Sequence, residues 1–67
     1  MKITLNNNPA KFTQERLTVR QLLQERNFTF KMLVIKINGV LVGKGDYDTA
    51  EVKEGDDVQV LHLISGG

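Results

Sequence analysis

Sixty-seven residues suffice for one small domain with a modest core and no linker. Nine Lys/Arg against eight Asp/Glu leave a net charge of +1, and the basic positions are scattered, which argues against the clustered basic face of a nucleic-acid binder. The absence of cysteine excludes a disulfide framework, a thiolate zinc site and a cysteine nucleophile. No apolar run resembles a signal-peptide core or a membrane span, so a cytoplasmic protein is expected.

Met1, Ile3 and Leu5 alternate with Lys2, Thr4 and Asn6, the pattern of a strand with one face on a core. Asn6-Asn7-Asn8-Pro9 breaks it, and Ala10 and Phe12 against Lys11 and Thr13 predict a second strand, giving a hairpin. Thr18 with Gln21 three residues on is a capping box, and Leu17 before the cap can staple onto Leu22. Val19, Leu22 and Leu23 form an apolar stripe, so a helix is expected over 19–26, ended by Asn27. Phe28 and Phe30 read as apolar plugs beneath a sheet.

From Met32 the period returns to two, with Leu33, Ile35 and Ile37 on one face and Met32, Val34 and Lys36 on the other. Asn38-Gly39 is the preferred dipeptide of a two-residue hairpin turn, and Val40-Leu41-Val42 is the return strand. The stretch from Gly43 to Thr49 reads as a loop or short helical turn, after which Ala50 and Val52 tuck the chain under the core. Glu54-Gly55-Asp56 then launches a last strand, rich in aliphatic residues, that reads as buried in the middle of the domain. The chain closes on Ser65-Gly66-Gly67, whose glycines have no side chain to pack. A domain over 1–64 with a flexible tail over 65–67 is expected.

Other motifs carry no chemistry. The segment from Gly39 to Lys44 is one residue short of a phosphate loop, has Gly45 where Ser/Thr would hold magnesium, and does not open a helix. Asp46, Asp48 and Glu51 lack the glycine and distal glutamate of a calcium loop. With Glu54, Asp56 and Asp57 they read as solvated turn residues. No cysteine, serine or carboxylate stands at a recognised catalytic or metal spacing from His62, which reads as structural. No catalytic residue and no metal ligand is assigned.

The order strand, strand, helix, strand, short strand, irregular crossing, strand predicts an α+β, β-grasp (ubiquitin-like) fold. It would be a mixed four- to five-stranded sheet with one helix across one face and the last strand central beside the first. Fold alone leaves function open.

Over essentially its whole length the chain resembles the ThiS family of sulfur carriers. The resemblance rests on the Met-Lys-Ile start with Asn6 ending the first strand, Thr18-Val19-x-x-Leu22-Leu23, Ile37-Asn38-Gly39 with Val42 after it, Glu54-Gly55-Asp56, and Gly66-Gly67 at the end. Gly43-Lys44-Gly45 departs from the Pro-Arg type of segment frequent in the family. The related MoaD carriers for molybdopterin, somewhat longer with the same ending, are the nearest alternative.

The resemblance implies a protein co-substrate and not an enzyme, with no cofactor of its own. A ThiF-like enzyme would use ATP and magnesium to adenylate the Gly67 carboxylate, with Ser65 and Gly66 as the tail that delivers it. Sulfur from a persulfide-bearing donor enzyme would displace AMP to give a thiocarboxylate, which a ThiG-like thiazole synthase would use. If Val58 and Val60 point into the core, alternation puts Leu61 and Leu63 on the opposite face beside Met32 and Val34, with Ile64 at the strand's end. These five residues are the expected partner-binding face. A non-covalent ubiquitin-like adaptor using the same face is the reading from another class.

Overall fold

The computed structural model describes residues 1–28 and 32–62. Lys2–Leu5 (β1) and Asn8–Lys11 (β2) pair antiparallel across Asn6-Asn7. Both turn residues take positive φ, 50° and 68°, as a type I′ turn requires. The tight turn admits Asn8 and Pro9 to β2, so the break is shorter than the four residues from Asn6 to Pro9. Proline is tolerated there because β2 is a sheet edge.

Val19–Glu25 (α1) is the expected helix, with Arg26 as its C-cap. The Thr18 hydroxyl accepts from the Gln21 N–H at 3.1 Å, and the Gln21 side chain accepts from the Thr18 N–H at 2.9 Å, completing the capping box. Asn27 ends the helix at φ 57°. Leu33–Ile37 (β4) and Val40–Val42 (β5) meet across Asn38-Gly39, both at positive φ, in the register that the dipeptide predicts. Lys44–Asp46 is one 3-10 turn.

Asp57–His62 (β7) is the central strand of the five-stranded sheet β2-β1-β7-β4-β5, parallel to β1 and antiparallel to β4. Its buried Val58 and Val60 join Ile3, Leu5 and Ile35 from the sheet and Val19, Leu22 and Leu23 from α1 in one core. The β-grasp arrangement is thus present. A second, two-stranded sheet was not expected: Arg16–Thr18 (β3) pairs with Glu51–Lys53 (β6), placing Leu17 opposite Val52. Both side chains are buried, so the segment expected only to tuck under the core closes it with a ladder. Phe28 packs half-buried against the core, whereas Phe30 lies outside the described residues.

Asp56 corrects the reading of the acidic residues as solvated turns, because it is only 6% exposed. One carboxylate oxygen accepts from the Lys53 N–H and the other from the Asn38 side-chain amide, each at 3.0 Å. The Asn38 carbonyl oxygen in turn accepts from the Asp57 N–H at 2.9 Å. The carboxylate therefore ties the turn before β7 to the β4–β5 turn, and burial is tolerated because both its oxygens are satisfied. Asp56→Ala strands two donors and is expected to cost about 1–3 kcal/mol, read as a lower urea midpoint at unchanged slope. Asp48 and Glu51 pair on the surface with Arg20 and Arg16. The hydrogen bond from Arg20 to Asp48, then the charge of Asp48, raises the guanidinium pKa further above its ordinary value.

Candidate functional site

Alternation along β7 decides the site. Val58 and Val60 face the core, so Gln59 and Leu61 face outward, and Leu61 is 46% exposed. Antiparallel register sets Leu61 directly opposite Val34, which is half-buried, and Met32 lies just before β4 on the same face, 52% exposed. Three of the five expected partner-binding residues are therefore brought together. Leu63 and Ile64, like Ser65, Gly66 and Gly67 of the expected tail, lie outside the described residues.

Sequence reasoning missed one member of this face. Leu41 pairs in register with Lys36, which shares the outward face of Val34, and Leu41 is 65% exposed. The signal was present: once Asn38-Gly39 fixes Ile37 opposite Val40, counting back one residue places Leu41 on the outer face. Met32, Val34, Leu41 and Leu61 make an apolar strip bordered by Lys36 and Gln59. The loop around Tyr47 does not cover Leu61, which is left nearly half exposed.

This face is apolar and, among the described residues, sets no nucleophile beside a base. His62 ends β7 opposite Leu33 in register. Among the described residues, no three His, Asp or Glu side chains converge as a metal site. A concavity of about 860 Å³ between the C-terminal half of α1 and the β4–β5 hairpin is lined by Leu23, Phe28, Leu33, Val42, Tyr47, Arg20 and Lys44, and Met32, Val34 and Leu41 of the strip also border it. It holds no acid–base pair. Among the described residues no helix is long and apolar enough to cross a membrane.

The model of the ThiS family matches residues 3–67, nearly the whole chain. The chain belongs to the ThiS family. It is 25% identical over 65 residues to the sulfur carrier protein ThiS of Bacillus subtilis, covering 97% of this chain and 98% of that protein. It is 31% identical over 67 residues to a thiazole synthase of Magnetococcus marinus, of which it spans 20%. Among solved structures, the crystal structure of the thiamine biosynthesis protein ThiS from Geobacter metallireducens superposes with a TM-score of 0.90 at 29% identity over the full length of both chains. The Gly43-Lys44-Gly45 departure leaves the fold of the family intact, since it is taken up in the 3-10 turn.

Proposed function

We propose that this ThiS family member is a sulfur carrier of thiamine (thiazole) biosynthesis whose Gly67 carboxylate is the acyl group that is loaded. The observation that carries the reading is the outward apolar strip on β4, β5 and β7, set on the strand that leads to Gly67, in a chain without a nucleophile–base pair among its described residues. A carboxylate resists attack by a sulfur nucleophile because its carbonyl carbon is electron-rich and oxide is a poor leaving group. A ThiF-like enzyme supplying ATP and magnesium removes that barrier. The carboxylate oxygen attacks the α-phosphorus, pyrophosphate leaves, and an acyl-adenylate forms.

A persulfide sulfur on the donor enzyme then attacks the acyl carbon and AMP leaves. A further thiol cleaves the resulting acyl disulfide, leaving a thiocarboxylate on Gly67 and a disulfide on the donor side. The repulsion between carboxylate and triphosphate must be offset by cations of the activating enzyme. The carrier contributes the acyl group, its reach and the docking face. A ThiG-like thiazole synthase takes the sulfur, a pairing supported by the likeness to part of a thiazole synthase.

Intact-mass spectrometry of protein purified from its native cells tests the reading. Replacement of one oxygen by sulfur adds about 16 mass units, as a covalent modification that fragmentation places on the last residue. Incubation with ATP, the activating enzyme and a persulfide donor that never yields this adduct overturns the proposal.

A further inference from the structure

On β1's side of β7, backbone pairing ends at Leu5 opposite Val58, where the chain turns away at Asn6. Yet the side chain of Asn6 continues the ladder. Its carbonyl oxygen accepts from the Val60 N–H at 2.7 Å and its amide donates to the Val60 carbonyl at 3.1 Å. A carboxamide carries the same acceptor and donor as a peptide unit, so Asn6 stands in for the strand residue that the turn has removed. Its own backbone N–H donates to the Val58 carbonyl at 2.9 Å, and Gln59 reaches the neighbouring Asn7 side chain at 3.3 Å. The turn itself, with φ 50° at Asn6, would be served as well or better by glycine. The side chain therefore does something the turn does not require.

We propose that Asn6 is a positioning residue for the acyl transfer, clamping β7 at Val60 so that the seven residues from Leu61 to Gly67 start from a fixed point. The proposal rests on the sulfur-carrier reading. Without the clamp, β7 beyond Val58 keeps its pairing with β4 but on the other side retains only the exposed Gln59–Asn7 side-chain bond among the described residues, and the strand end frays backward. The acyl group is then delivered from a moving base, and the fraction of docked complexes in attack geometry falls. Docking through Met32 and Val34 on β4 and Leu41 on β5 does not involve Asn6, and the fourth member of the strip, Leu61, is paired with Val34 on β4.

The test compares the wild type with Asn6→Gly, which preserves the turn and removes the amide. A second variant, Asn6→Asp, keeps the acceptor for the Val60 N–H and loses the donor. Hydrogen exchange at the Val60 amide is expected to accelerate at least about tenfold in Asn6→Gly, with Ile35 unchanged. With a ThiF-like adenylating enzyme, kcat is expected to fall about tenfold while KM moves less than about threefold, a split that a uniform loss of stability would not produce. Asn6→Asp should fall between wild type and Asn6→Gly, and it decides the matter if Asn6→Gly does not fold. Unchanged Val60 protection, or faster exchange with wild-type kcat, overturns the positioning role. If the wild type itself is not adenylated, the sulfur-carrier reading fails, and with it the positioning role, while the exchange data still show whether Asn6 holds the strand.

Discussion

Deleting Gly67 is expected to abolish adenylation and thiocarboxylate formation while leaving the fold and any non-covalent binding through the β4–β7 face intact. Each residue of extended chain contributes about 3.3–3.6 Å of reach. Removing one therefore draws the terminal carboxylate back by several times the roughly 1 Å misplacement that can cost about a hundredfold in rate. Appending one alanine should do equal harm for a different reason, because it moves the carboxylate onward and sets a Cβ beside the reactive carbonyl. Pyrophosphate release with the activating enzyme measures the chemistry, and calorimetric titration with the same enzyme measures docking. A carrier loses the first and retains much of the second. A non-covalent adaptor would show no dependence on the terminus in either measurement, and turnover by the shortened protein would rule out Gly67 as the acyl donor.

Leu61→Asp carries the second large effect. Leu61 is nearly half exposed and packs across from Val34 on the outer face, outside the core that holds the fold together, so the variant should fold with an unchanged far-ultraviolet spectrum. Binding is a different matter. A carboxylate at the β7 end of the apolar strip must be desolvated when a partner covers it, and the nearest cation on this face, the exposed Lys36, stands one outward-facing register pair away rather than opposite it. An apolar anchor of this kind contributes about 2 kcal/mol or more, roughly thirtyfold in kcat/KM for adenylation. Leu41→Asp should act in the same direction, because the hairpin register puts it on the same strip. Wild-type turnover by Leu61→Asp would remove this face from the docking account, leaving the tail chemistry untouched.

The sequence by itself determined the parts of this protein whose causes are local. Thr18 and Gln21 specify the helix start because a capping box closes within one turn, and Asn38-Gly39 specifies the hairpin and its register because only a few residues tolerate two consecutive positive φ angles. Alternation then told the inner face of β4 and β7 from the outer one, and with it most of the outer apolar strip. Only the tertiary structure decided what depends on residues far apart in the chain. Leu17 and Val52 pair across 35 positions of sequence, and a three-residue strand with one apolar side chain has no period to read. The burial of Asp56 follows from Asn38, which arrives from another hairpin. Asn6 reads as a turn residue until Val60, 54 residues later, is beside it. A carboxylate or an amide is indifferent to its neighbours in sequence, and its role is set by whichever donors and acceptors the fold brings within hydrogen-bonding distance.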